Sequence, residues 1–357
     1  MSKKMIVVNA RFLTQKITGV QRFAIEISLE LKKMLKENVR FVSPNNVEQK
    51  EYARILGVTV IGKHKGHVWE QWDLPKYLKE QKSPLLLCLC NTAPLFYKNK
   101  IVTVHDVAFM AYPQTFNKSF LYFYRFMIPR IMASAKRILT VSEFSKNEII
   151  KYYNIDAGKI AVIHNAVTND FRKIQDDTLQ KEKYVLAVSS LNYRKNFIAV
   201  LRAFDALLKQ KQDILLYIIG DLRNSNFSNI NIDQYKDNTK IKFLGRVTDS
   251  ELVRYYSNAF AFVYPSFYEG FGIPPLEAQA CGCPVICAKA SCLPEIFGNS
   301  VSYCNPNDPD SLAEAIKSLC NDEQLRSDLI ERGLHNVDEY SWEKSANKIF
   351  MVIKSIK

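Results

Sequence analysis

Apolar runs of strand length, rich in Val and Ile, alternate with amphipathic stretches of roughly 12 to 18 residues along almost the whole chain, and that alternation admits few folds. A strand buried on both faces reads as a continuous apolar run, and parallel neighbours need a helical crossover between them. Repetition of the unit predicts an α/β protein with doubly wound parallel sheets.

The runs fall into two series. The first comprises residues 5–9, 39–43, 58–61, 85–90, 101–105, 137–141 and 160–163, with helices expected over 19–36 and 118–135. The second comprises 184–189, 214–220, 241–244, 259–264, 284–288 and 301–304. Helix starts in this half are marked by Thr248-Asp249-Ser250-Glu251 and by Asp308-Pro309-Asp310-Ser311-Leu312. The polar stretch 169–183 separates the series, and 357 residues suit two cores better than one. The expected domains are 1–170 and 171–341. A helical stripe of Ala346, Ile349, Phe350, Ile353 and Ile356 closes the chain; helix 342–357 could join either domain, and the first is taken as its partner.

No apolar run approaches the roughly 20 residues of a membrane helix. Met1-Ser2-Lys3-Lys4 leads straight into the first strand without the apolar segment of a secretion signal, so a cytoplasmic location is expected. The eight cysteines fit that compartment as buried thiols. Cys281, Cys283, Cys287 and Cys292 lack a C-x-x-C pair and a nearby His, so no metal is expected. No G-x-G-x-x-G fingerprint follows a strand, which argues against a dinucleotide-dependent dehydrogenase.

The net charge of +13 is unevenly placed: residues 1–180 hold 28 Lys and Arg against 15 Asp and Glu, whereas residues 181–357 hold 21 of each. A basic first domain meets something anionic, such as a membrane surface, an acidic substrate or nucleic acid, or it is simply a lysine-rich solvated face. No nucleic-acid motif accompanies the charge.

In open α/β sheets ligands lie beyond the carboxyl ends of the strands. Ser266-Phe267-Tyr268-Glu269-Gly270-Phe271-Gly272-Ile273-Pro274-Pro275-Leu276-Glu277 follows such a strand. Its prolines suit a first helical turn starting near Pro274, and the glycines and amides of 270–273 suit a phosphate. Glu269 and Glu277 would repel a diphosphate but suit the hydroxyls of a sugar or ribose; the other reading has Glu277 capping its helix and Glu269 ending a loop. Arg194 and Lys195 stand where a helix opens, an unfavourable end for cations unless an anion is bound. His105, after a strand, is either a donor or proton carrier in the cleft or a satisfied structural histidine. Gly19, at a loop-to-helix junction beside Arg22, is a further anion candidate.

Taken in order, Thr18-Gly19-Val20-Gln21-Arg22, Val68-Trp69-Glu70-Gln71, Val104-His105-Asp106-Val107, Thr140-Val141-Ser142-Glu143-Phe144-Ser145, Val162-Ile163-His164-Asn165-Ala166, Tyr193-Arg194-Lys195-Asn196, Phe243-Leu244-Gly245-Arg246-Val247 and the 266–277 stretch resemble the retaining glycosyltransferases of family four. The resemblance implies a GT-B fold, two Rossmann-like domains facing a central cleft, with a nucleotide-sugar on the second domain and an acceptor on the first. It implies that Glu269 holds hydroxyls of the transferred sugar, Glu277 the ribose, and Lys195 with Arg194 the diphosphate. Amides of Gly270, Phe271, Gly272 and Ile273 would add to that binding. His105 would face the sugar, Gly19 the phosphates, and Val247 belongs to the nucleotide site. Two positions depart from the family: Ser190 stands where many members carry a second Arg, and His164-Asn165-Ala166-Val167 replaces the commoner Pro-Asn-Gly-Val.

The expected activity is transfer of a sugar from a nucleotide donor, with GDP-mannose favoured, to a glycan or lipid-linked glycan in surface polysaccharide synthesis. No cofactor or metal is expected. An epimerase or phosphorylase on the same fold, or a basic membrane- or nucleic-acid-binding module, are the alternatives. Residues 116–137 mix aromatics with Lys and Arg as an interfacial helix on the cytoplasmic membrane face would, or else form a core helix with basic flanks.

Overall fold

The computed structural model describes residues 5–176, 179, 182–188, 192–220, 235 and 237–356. The chain forms two compact units: Met1–Asn165 together with Ser341–Lys357, and Ala166–Tyr340.

The first unit is built on seven parallel strands: β1 (Ile6–Asn9), β2 (Val39–Ser43), β3 (Thr59–Val60), β4 (Leu85–Cys88), β5 (Lys100–Thr103), β6 (Arg137–Thr140) and β7 (Ile160–Val162). Their order across the sheet is β3-β2-β1-β4-β5-β6-β7. All four residues of β1 are buried, as are those of β5, because helices cover both faces. Strand ends differ from the sequence expectation by one or two residues, and residue 189 of the expected 184–189 strand lies outside the described residues. At position 91 the chain turns into a positive φ of 33° and leaves β4.

The helix Gly19–Leu35 opens on Thr18, whose N–H donates to the Gln21 side chain at 3.2 Å. The C-terminal helix Trp342–Lys354 belongs to this unit: Trp342 meets Phe23 edge-on with ring centroids 6.1 Å apart, and Ser345 donates to the His164 carbonyl at 2.7 Å. Ala346 and Ile349 complete its buried stripe.

The helix Lys118–Ser134 has two characters. Met127, Ile128, Ile131 and Met132 are buried, with Phe120, Phe123 and Tyr124 packed against the core beside them, while Lys118, Tyr122, Arg125, Phe126 and Arg130 point outward. Most of the aromatics are therefore core, and a basic stripe with two exposed rings remains. Beneath the helix end the Lys100 ammonium is wholly buried, donating to the Pro94 carbonyl at 2.6 Å and to Ser134 Oγ at 2.8 Å.

Trp69–Asp73 forms a π-helical turn between the short helix Gly66–Val68 and the helix Leu74–Glu80. Pro75 explains the widening: it has no N–H to give to residue 71, and its ring would strike that carbonyl. The Leu74 N–H consequently reaches Trp69 O, five residues back.

Six parallel strands form the second unit: β8 (Tyr184–Val188), β9 (Leu215–Ile219), β10 (Ile241–Gly245), β11 (Ala261–Tyr264), β12 (Val285–Ala288) and β13 (Ser302–Cys304). Their order is β10-β9-β8-β11-β12-β13, so the order in which the parallel strands are laid down reverses between β8 and β11. Phe197, Leu201, Phe204 and Leu207 of the helix Phe197–Lys209 pack with Leu312, Ile316 and Leu319 over Val185, Leu216 and Ile218. Each such side chain contributes about 1.5–3 kcal/mol by burial.

Candidate functional site

The reversal between β8 and β11 brings together two loops that lie far apart in the sequence. After β8, Tyr193–Lys195 makes a 3-10 turn capped by Asn192, whose Oδ1 accepts from the Arg194 N–H at 3.0 Å. Asn196 follows at φ 54°, and the helix begins only at Phe197, so Arg194 and Lys195 precede the helix proper. Asn196 Nδ2 donates to the carbonyls of Pro265 and Pro306 at 3.0 and 2.7 Å. The Phe267 N–H donates to Arg194 O at 2.9 Å, and Tyr193 stacks on Phe267 at 5.4 Å. The two loops are thereby locked to one another.

At their junction Lys195 Nζ donates to Glu269 Oε1 and to the Tyr264 hydroxyl, both at 2.7 Å. Glu269 is only 8% exposed, and its N–H donates to Ser291 Oγ at 3.1 Å, bringing in the loop after β12. Burial acts to raise the Glu269 pKa, but the cations of Lys195 and then Arg194 outweigh it and hold the carboxyl below its ordinary value. Glu269 is a buried, ionised acceptor fixed by a cation, which does more than end a loop. Tyr264, the last residue of β11, carries no sequence signal beyond its place at a strand end.

Gly272 adopts φ 101° and precedes the helix Ile273–Ala280, which starts one residue before Pro274. Pro274 and Pro275 remove two of the amides that a helix start normally leaves unpaired, so the Ile273 N–H is the one the helix itself offers. Gly270 and Phe271 are buried, and the Phe271 ring meets Tyr340 edge-on at 5.4 Å. Glu277 is the fifth residue of the helix, past the position from which a carboxylate caps, and its charge faces the buried Tyr256 phenol. Val247 lies beyond the carboxyl end of β10, two strands from β8. Ser190 lies outside the described residues.

In the first unit His105 follows β5, 5% exposed. Its Nε2 lies 2.9 Å from Leu89 O, its N–H donates to Asn91 Oδ1 at 3.0 Å, and Phe23 meets the ring edge-on at 4.9 Å. Burial lowers its pKa, so the neutral ring donates from Nε2 and leaves Nδ1 as an acceptor. Gly19 is exposed at the first position of its helix, in a conformation that requires no glycine.

One buried network in this unit was not legible as a site. At the reversal between β1 and β4, Glu70 Oε1 accepts from Asn9 Nδ2 at 2.8 Å and from Arg11 Nε at 3.3 Å, while Arg11 also donates to Thr92 Oγ1 at 2.8 Å. Glu70 is 1% exposed; burial raises its pKa, but Arg11 and His67 bring it below the ordinary value. Among the described residues no cluster of three or more His, Cys, Asp or Glu is close enough to hold a metal ion, and no helix is long and apolar enough to cross a membrane.

Residues 17–171 match the family model described as Glycosyltransferase Family 4, and residues 169–335 the one described as Glycosyl transferases group 1. The O-antigen chain mannosyltransferase RfbU of Salmonella typhimurium is 34% identical over 78% of this chain and 75% of its own. The O-antigen chain mannosyltransferase B of Escherichia coli is 31% identical over 73% of each. Among solved structures, a glycosyltransferase from Rickettsia africae superposes with a TM-score of 0.74 at 19% identity, covering 99% of this chain and 98% of its own. Anabaena Alr3699/HepE, solved with UDP and glucose, gives 0.74 at 17% identity over 99% and 100%. The two doubly wound units are those of the GT-B fold.

Proposed function

Since the chain belongs to glycosyltransferase family 4, we propose that it transfers mannose from GDP-mannose, with retained anomeric configuration, to a glycan or polyprenyl-diphosphate-linked glycan acceptor in O-antigen or capsule synthesis. The observation that carries this reading is the Lys195–Glu269 pair at the β8/β11 reversal, with Arg194 beside it. Lys195 and Arg194 would neutralise the donor diphosphate, with the Ile273 amide assisting, and Glu269 would accept hydroxyls of the sugar. Glu277, farther along the helix, would hold the ribose, and Val247 would flank the nucleotide. His105 would offer Nδ1 to the sugar and Gly19 would approach the phosphates. The names of the two curated relatives support mannose and O-antigen.

In the proposed reaction the bond from the anomeric carbon to the diphosphate breaks, and the acceptor oxygen bonds to the same face. The departing phosphate oxygen takes the acceptor's proton, so no carboxylate nucleophile is needed. Because two protein cations meet the charge that develops on the leaving group, transfer should survive a chelator. The outward stripe of Lys118, Tyr122, Arg125, Phe126 and Arg130 supports a peripheral contact with the cytoplasmic membrane face.

The test is transfer from GDP-mannose, alongside other nucleoside-diphosphate sugars, to a lipid-linked glycan acceptor in the presence of EDTA. A thermal-shift series of nucleoside diphosphates accompanies it. Acceptor-dependent product supports the reading. Melting unaffected by every nucleotide, or donor breakdown that ignores the acceptor, would sink it.

A further inference from the structure

Lys195 has three N–H donors, and two are committed, one to the Tyr264 hydroxyl and one to Glu269. Two bonds on a tetrahedral nitrogen fix the direction of the remaining N–H. That N–H has no partner among the described residues. Tyr264 is suited to the task because it belongs to the sheet: it is 3% exposed, and its ring stacks on Phe262 at 5.9 Å. Burial, and then the charge of Glu269, keep the phenol protonated, so its oxygen faces the ammonium as a neutral acceptor. With Glu269 alone the ammonium could turn about a single hydrogen bond. A second carboxylate in place of Tyr264 would fix it equally well, but would add a negative charge beside a diphosphate.

We infer that Tyr264 is a positioning residue for sugar transfer: its hydroxyl, with Glu269, aims the third Lys195 N–H at a non-bridging oxygen of the donor diphosphate. The inference rests on the proposed function of this site. The aimed donor counts most when charge builds on the leaving diphosphate, so the hydroxyl acts on turnover more than on donor binding.

The experiment is a double-mutant cycle of Tyr264→Phe and Lys195→Met on the full chain, read as kcat and donor KM, with unfolding midpoints for every variant. Tyr264→Phe keeps the ring and removes the hydroxyl, with its bond from the Lys195 ammonium and its bond to the Glu269 carboxylate. It is expected to lower kcat by roughly 10- to 100-fold with donor KM changed less than about threefold. In the Lys195→Met background the same change should have no further effect. A kcat within about threefold of the original, an effect that multiplies with Lys195→Met, or a variant that no longer folds would each overturn the inference. If the unaltered protein transfers no sugar at all, it is the proposed function that fails. The cycle is then read on GDP affinity, where a loss from Tyr264→Phe that persists without Lys195 rejects the role of Tyr264.

Discussion

Replacing Gly272 with Ala should cost the second unit more than its one added methyl suggests. Gly272 sits at φ 101°, ψ 56°, beyond the left-handed well that other residues occasionally visit, and that backbone costs an alanine about 1–2 kcal/mol. A Cβ there would also lie 2.9 Å from Leu293 Cδ2 and 3.1 Å from Phe297 Cε2. Leu293 and Phe297 are 0% and 1% exposed, so neither can swing into solvent, and overpacking of this kind adds about 1–3 kcal/mol. The total is roughly 2–5 kcal/mol. Gly245 separates the two contributions: it has φ 70° and nothing within 4 Å of its would-be Cβ, so Gly245→Ala should carry only the backbone cost, about 1–2 kcal/mol. Urea unfolding followed by a probe in the second unit measures both. With a slope of about 1–3 kcal/mol per molar urea, the Gly272→Ala midpoint should fall by on the order of 1–2 M, and the Gly245→Ala midpoint by less. A Gly272→Ala midpoint no lower than that of Gly245→Ala would refute the packing account of the loop.

Glu269 has its folded pKa below the ordinary 4.5, so its pairing stabilises the fold above that value and the contribution is lost as pH falls through the lower folded pKa; Glu269→Gln should flatten the acid limb of stability against pH, and parallel curves would contradict this. Lys100 is shifted the other way: burial pushes it down to about 8 from 10.5, so between those values the unfolded chain holds the proton that the folded one has released, and stability gains from rising pH. Lys100→Met should remove that alkaline gain in urea titrations, and an unchanged slope would count against it. Replacing Tyr122 and Phe126 with Ser and Arg125 and Arg130 with Gln should reduce sedimentation with anionic vesicles about tenfold or more at low salt, without altering transfer to a water-soluble acceptor; unaltered sedimentation would remove the membrane reading of that helix face.

The parallel sheets were readable because strands covered on both faces read as continuous apolar runs, as β11 and β12 do. Their adjacency was not. Glu269 and Lys195 each read locally as a ligand for a different part of a donor, and their contact follows from β8 lying beside β11 with β9 and β10 outside. Tyr264 looked like one more apolar strand residue, since its hydroxyl matters only once Lys195 is beside it. Pro274 and Pro275 mark the helix start in the sequence as in the structure, and because neither carries an N–H they leave the amides of 270–273 as the ones the loop offers. Glu70 stood inside a quoted motif without a role, because its burial depends on a π turn forced from five residues downstream. The helix Lys118–Ser134 packs most of its aromatics into the core, as one of its two readings had it, and leaves a basic face with two exposed rings on which the membrane reading still depends.

The C-terminal helix has one more consequence, which concerns the order of events at the ribosome. Trp342–Lys354 covers Phe23 of a helix made more than three hundred residues earlier, and the whole second unit is translated in between. A nascent first unit therefore emerges with an apolar face that its own first 165 residues cannot cover, and it waits, open to chaperones or to misassembly, until the second unit has been made.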